Sequence, residues 1–456
     1  MTNLEENILK SEILLKIQVT RKKIKKLSRE TFPTLGPQGV LLLSAKILDK
    51  IIDQFEIYSL DQMIFIKTGV LRQIIILISY IENSTIKNVT WSTIPAYNML
   101  LKSLLENVEY VIVPQWKENY SILNQNIVDD FEKHFKTFGV PETDGSEGNT
   151  MGKIPSKIYL IKYSRLEKLS ALHLALLGHE IGHIFASQWM NEWYLDFATK
   201  ETNLSSTLEE IALEELKKKN LATDMFVEFE KKKTIDHYHN LIGQNYKELL
   251  SDIFGCALFG HTFIIAMYLF SATSDLDKTN WPNGYLSWRF RLQNCIRFIS
   301  FVFKRSNKKP DTYDLYENIC STVRGDIKDY KDKVCSLAIY SFMQKEEQIF
   351  TVMCEYAKTE LFITKIDSEQ ISAACNRLEN EIIPNAMLKS GIEYPIDIRN
   401  ILYAIWLVSY KRNEPDTRLF SERIQFYNML GIKGIELSVE QGEYDDFIKR
   451  QNQRET

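Results

Sequence analysis

Apolar residues recur at helical spacing over most of this chain, and the points where that spacing changes mark the expected elements. Residues 1–30 pattern as an amphipathic helix whose second half carries Arg21, Lys22, Lys23, Lys25, Lys26 and Arg29. Such a run reads as a solvated helix face, with a nuclear-import or acidic-partner patch as the sharper alternative. Residues 41–106 are apolar at mixed spacing and mostly helical by pattern, with breaks near Gly69 and at Asn83 and Ser84. Residues 109–113 (E-Y-V-I-V) and 157–163 (K-I-Y-L-I-K-Y) read as strands, the first ended by Pro114. Between them, residues 138–155 gather Gly139, Pro141, Gly145, Gly148 and Gly152 and read as a loop. Ser164 and Glu167 have capping-box spacing, and the apolar helical run 169–189 follows.

Beyond it, residues 191–245 are charged and helical by pattern. A new helix is expected from Lys247 to about Ser271, a break at residues 281–284 (W-P-N-G), and further helices with short connectors to about 409. Residues 430–435, with Gly431 and Gly434, look like a turn. No repeat or low-complexity segment is evident.

Composition narrows the class. The 456 residues are 45% hydrophobic and 25% charged, ordinary for a globular protein of two or three domains. Only 11 prolines and 18 glycines occur, which fits a helix-rich fold. A net charge of −4 argues against a nucleic-acid partner. The six cysteines form no C-x-x-C pair and read as reduced thiols of a cytoplasmic protein. The first residues show no signal-peptide pattern. Residues 253–273 carry no charge, taking His261 as neutral, and reach the length of a membrane span. Gly255, Gly260, His261, Thr262, Ser271 and Thr273 dilute that segment, so it reads as a buried core helix; residues 74–81 are too short to span. No membrane association is expected.

The chemistry lies in His179-Glu180-Ile181-Gly182-His183, an H-E-x-x-H motif inside the apolar run. Residues four apart share a helix face, so His179 and His183 can offer two nitrogens to one metal ion. Glu180 lies about 100° further round, where it can accept a proton from a water. A catalytic zinc usually has three protein ligands. A metzincin would need glycine at position 186 and histidine at 189; the chain has Ala186 and Trp189, which excludes that class. Glu248-Leu249-Leu250-Ser251-Asp252 offers a better answer, because Glu248 and Asp252 also share a face. Glu248 can be the third ligand, and Asp252 can hold one imidazole through its other nitrogen. Glu192, Asp196, Glu215, His237 and His239 are rivals for the third position. His237 and His239 are read as a loop pair, His173 as facing away from the motif, and His134 as an exposed helix residue.

These two segments resemble the gluzincin metallopeptidases, in which H-E-x-x-H is followed by a glutamate on a second helix. Thermolysin-like and neprilysin-like enzymes both carry E-x-x-x-D there. The resemblance implies that His179, His183 and Glu248 bind one zinc ion per chain, that Glu180 is the general base, and that Asp252 orients His179. Two features depart from the families: Lys247 stands where thermolysin-like enzymes have asparagine, and neprilysin-like enzymes are usually secreted or membrane-anchored. The resemblance covers roughly residues 157–270.

The expectation is a predominantly α-helical α+β protein. A zincin-like core over residues 107–300 would set a small sheet above the motif helix, between helical regions 1–106 and 301–456. An extended substrate could pair with the edge of strand 157–163. The activity expected is zinc-dependent hydrolysis of an intracellular protein or peptide, with the C-terminal helices available to a protein partner. Arg289, Arg291 and His239 are the leading candidates to stabilise the oxyanion, with Tyr246 and His261 behind them. Arg289 and Arg291 follow a W-P element that resembles a proline-then-arginine feature of some intracellular gluzincins. The alternatives are a non-catalytic, zinc-containing scaffold and a membrane-embedded zinc protease that uses residues 253–273 as its span.

Overall fold

The structure is a computed structural model that describes residues 3–88, 94–105, 108–115, 121–123, 126–138, 157–164, 170–194, 202–218, 224–271, 275–277, 285–307, 314–327, 333–410 and 417–454. It is predominantly helical with two small sheets. The chain divides into two compact units, Met1–Leu169 and Ser170–Thr456. This differs from the expected three-part division at 106 and 300. The strands before the motif belong to the first unit, and the helices after residue 300 share a unit with the motif helix.

In the first unit, the helix Asn3–Leu27 buries Ile13, Ile17, Ile24 and Leu27 and leaves its basic residues largely at the surface. The expected break at Gly69 does not occur. Ser59 caps a helix that continues to Asn83, and Ile66–Val70 forms one wide π turn within it. By length and composition, the stretch Leu60–Asn83 could cross a membrane. One face of it, with Met63, Ile66, Val70, Ile74, Leu77, Ile78 and Ile81, is nonetheless buried in the core of this unit.

The three-stranded sheet has the order β1-β3-β2, with β1 Val108–Gln115, β2 Ser121–Leu123 and β3 Lys157–Ser164. Strand β1 runs through Pro114 rather than ending at it, as an edge strand can. Strand β3 is central. It pairs in parallel with β1 along its whole length and antiparallel with β2 over residues 160–162. The edge reserved in the sequence reading for a substrate is therefore already hydrogen-bonded on both sides at those residues. The loop at 139–155, the capping partner Glu167 and the break at 281–284 lie outside the described residues.

In the second unit, the motif helix is Leu177–Trp189, entered by a 3-10 turn at Leu172–Leu176. The helix carrying Glu248 does not begin at Lys247. It runs for 36 residues, Asp224–Phe259, and so absorbs Asp236–His239, which is helix rather than loop. It ends at Gly260, whose φ of +57° is the left-handed geometry that stops helices at glycine. A second helix, His261–Ser271, then starts. Residues 253–273 are thus not one continuous span, and the apolar positions of 253–267 are buried within this unit.

The expected turn at 430–435 is also absent. Gly431 and Gly434 lie inside the helix Thr417–Arg454, where a Cβ would strike the Ile405 side chain and Pro384. Here glycine permits close packing rather than a turn. All six cysteines are free thiols.

A buried ion pair ties the end of the glutamate helix to the helix Ile398–Tyr410. Arg399, fully buried, donates to the Leu258 carbonyl and to the carboxylates of Glu360 and Asp397. Burial alone would raise the Glu360 carboxyl, but the Arg399 charge outweighs it and holds the group below its ordinary range. Arg399→Met should destabilise the fold by about 3–5 kcal/mol, because it strands a buried carboxylate and a carbonyl. Urea unfolding measures this. Stability from Glu360 is present above its unfolded pKa and is lost as pH falls through the depressed folded value, so the penalty should shrink at acid pH.

Candidate metal centre

The centre is built by two antiparallel helices that approach unusually closely. Gly178 and Gly182 lie on the face of the motif helix that meets Ser251 and Gly255 of the glutamate helix. A Cβ on Gly182 would stand 2.7 Å from the Ser251 Cα and carbonyl oxygen, and one on Gly178 would stand 3.1 Å from the Gly255 Cα. Phe185 stacks on Phe254 and Trp189 on Tyr246 further along the same seam. Only glycine admits backbone this near, and the approach carries His179 and His183 to Glu248 and Asp252.

The Nε2 atoms of His179 and His183 lie 3.4 and 3.7 Å from the two carboxylate oxygens of Glu248. Their Nδ1 atoms face the other way. His179 Nδ1 meets Asp252 Oδ1 at 2.7 Å, and His183 Nδ1 meets Ser251 Oγ at 2.9 Å. His179, Glu180 and His183 bring one ligand atom each to within 4.8 Å of one another. Glu180 is 4% exposed. The imidazole and Glu248 side chains keep 15–16% exposure.

Arg291, on the helix Trp288–Ser306, closes the back of the site. Its Nε and Nη2 donate to the Asp252 carboxylate at 2.6 and 2.8 Å, and Nη2 also reaches Glu248 Oε2 at 3.3 Å. Its guanidinium lies 4.6 Å from the centre of the Trp288 ring. Ser287 caps this helix, and the Leu286 amide donates to the buried Asn245 side chain at 3.0 Å, fixing the preceding segment to the glutamate helix. Tyr285, 40% exposed, immediately precedes that contact and feels the charges of the centre. Its phenol is raised first by the Glu248 carboxylate and then by burial, with Glu180 adding to the effect and Arg291 opposing it.

The charges of the cluster shift one another strongly. Burial would depress the His179 imidazolium, but Asp252 and Glu248 override it and raise the group to about 10. Burial and the His179 charge push His183 down to about 4. Glu248 would rise on burial, yet His179, Arg291 and His183 hold it at about 2. Metal-free, the cluster keeps one imidazole, His179, in its charged form while His183 is neutral. With neutral imidazoles and ionised acids, Glu180, Glu248 and Asp252 exceed Arg291 by two charges, which one divalent ion balances. The spacing is close to that of a metal site, with contacts of 3.4 and 3.7 Å that run to different oxygens of Glu248. A tetrahedral ion with bonds of about 2.0–2.2 Å sets its ligand atoms about 3.3–3.6 Å apart. His179, His183 and Glu248 fit that donor set.

The structure thus brings together His179, Glu180, His183, Glu248 and Asp252, with Arg291 behind them. Arg291 is buried, and its Nε and Nη2 are committed to the carboxylates of Asp252 and Glu248. Arg289 is bound to Asp277 and to the carbonyls of Thr322 and Val323. His239 lies more than two turns before Glu248 on the same helix, with its carbonyl accepting from the Tyr194 hydroxyl. Tyr246 donates to Ser341, and His261 is enclosed by Phe303, Tyr316, Phe362 and Tyr403. Among the rival ligands, Glu192 and His237 are exposed, and Asp196 is outside the described residues. Sequence reasoning missed Tyr285, Asn245 and the use of Gly178 and Gly182. Gly178, Gly182 and Asn245 were signalled by small or polar residues at helical spacing from the motif residues, whereas nothing in the sequence marked Tyr285.

No protein-family model, curated protein or solved structure matches this chain. The reading of the site rests on its own geometry.

Gly182→Ala should cost the fold about 1–3 kcal/mol as the helices are forced apart, despite alanine's higher helix propensity. Chemical denaturation reads that loss.

Proposed function

We propose that this chain is a zinc-dependent peptidase with a gluzincin-type centre, in a zincin-like pairing of motif helix and glutamate helix. The observation that carries the reading is the convergence of two Nε2 atoms and the Glu248 carboxylate, at 3.4 and 3.7 Å, with both Nδ1 atoms turned to oxygen partners. His179, His183 and Glu248 would hold one zinc ion. Asp252 fixes the His179 ring, and Arg291 balances the charge of Asp252 and Glu248.

A zinc ion held there supplies Lewis-acid polarisation of a peptide carbonyl and acidifies a water beside it. The chain's own groups do the rest. Glu180, next along the helix from His179, takes the proton of the attacking water and passes it to the leaving amine nitrogen. Tyr285 presents its O–H to the oxygen of the scissile carbonyl as negative charge develops there. It replaces Arg289, Arg291 and His239 in that role, because those three are committed elsewhere or distant. A purely structural centre would have no use for Glu180 within the ligand cluster. The substrate class is a protein or peptide, and six free thiols fit a reducing compartment.

Purified wild-type protein should carry about one zinc per chain, and Glu248→Ala should lose it. Metal analysis of the two proteins decides the third ligand, since full retention in the variant removes Glu248 from the set. Glu180→Gln should keep the metal and lower kcat on a mixed peptide library by about 10²–10⁴-fold. Undiminished cleavage by that variant would dismiss Glu180 as the base. Tyr285→Phe should lower kcat by about 10²–10³-fold with little change in KM; a change confined to KM would assign it to substrate binding instead.

A further inference from the structure

Ser251 lies between Glu248 and Asp252 on the inward face of the glutamate helix, with no exposure to solvent. Its hydroxyl sits 2.7 Å from the Lys247 carbonyl and 2.9 Å from His183 Nδ1. The bond to Lys247 is ordinary, since helical serines often bond back to the residue four before. The contact to His183 is not. A serine hydroxyl has one proton, and a carbonyl oxygen can only accept, so that proton goes to Lys247. Towards His183 the oxygen then shows lone pairs alone. The imidazole must answer with Nδ1–H, which leaves a bare Nε2 lone pair aimed at the Glu248 side of the centre.

His179 is oriented differently. Its Nδ1 faces a carboxylate, at 2.7 Å, and that carboxylate is itself clamped by Arg291. A carboxylate partner raises the donor strength of an imidazole more than a neutral hydroxyl does. The two histidines are therefore unequal by construction, although H-E-x-x-H presents them as a matched pair.

We propose that Ser251 is a positioning residue that sets the tautomer of His183 and makes it the weaker of the two imidazole donors. The proposal rests on the metal-centre reading for its consequence, although the tautomer itself belongs to the metal-free chain. Ser251 also occupies the point where the backbones are closest, against Gly182. The close approach that sets the helix spacing thus also brings the Ser251 hydroxyl to His183.

The test uses the full chain. Side-chain nitrogen NMR of the metal-free protein should show His183 protonated at Nδ1 in wild type. Ser251→Ala should lose that preference while leaving His179 unchanged, and Asp252→Asn should alter His179 while leaving His183 in place. Zinc alone, titrated against a chelator, should bind Ser251→Ala about 10–100-fold more weakly than wild type. Ser251→Cys fills the site with a slightly larger, poorly accepting sulfur, so its His183 tautomer should follow the alanine variant, which guards against an effect of the lost volume. A wild-type His183 tautomer in both folded variants would overturn the proposal, as would wild-type zinc affinity in both. A wild-type chain that binds no zinc would sink the metal centre separately, and the tautomer experiment would still decide Ser251.

Discussion

The site depends first on how near two helices come. Gly178 and Gly182 put the backbone of the motif helix against Ser251 and Gly255, closer than any side chain would allow. The stacked pairs Phe185–Phe254 and Trp189–Tyr246 extend the seam, so burial of aromatic surface offsets what the glycines give up in helix propensity. With that spacing fixed, four residues on two rigid helices fall into one coordination-sized space without help from a loop. Preorganisation of this kind is what the proposed ligand set requires.

The second constraint is charge. Three acidic side chains in a largely buried cluster would repel one another strongly, and burial makes each charge more costly. Arg291 answers part of this by clamping Asp252 and reaching Glu248, with its flat face on Trp288. The metal-free chain offsets one further charge by keeping His179 protonated. The same arithmetic that explains the proton explains why a divalent cation would displace it.

Much of the chemistry was legible in the sequence because the spacing of four residues fixes a helix face whatever surrounds it. His179 could be placed with His183 and Glu248 with Asp252 on that ground, whereas joining the two pairs rested on the resemblance to gluzincins. Arg291 was singled out for a substrate-facing role, but sequence spacing does not say which way a side chain points across a helix interface. It turns inward to two carboxylates. Element boundaries failed where glycine has two uses. Gly69, Gly431 and Gly434 read as breaks yet sit within helices, whereas Gly260 does end one through its positive φ. The start of the glutamate helix was missed because its charged first half gave no apolar signal at Lys247 to distinguish a new helix from an old one. Strand 157–163 was recognised, but its central place in the sheet depends on partners far along the chain.

The central claim is that His179, His183 and Glu248 form one zinc centre. X-ray absorption at the zinc edge, on the full chain loaded with one equivalent of zinc, tests it most directly. The account predicts a low-coordinate, nitrogen- and oxygen-bound zinc, with two imidazole signatures at about 2.0–2.1 Å and carboxylate oxygen at about 2.0–2.2 Å. A spectrum dominated by sulfur at about 2.3 Å, or a six-oxygen shell without imidazole scattering, would contradict it.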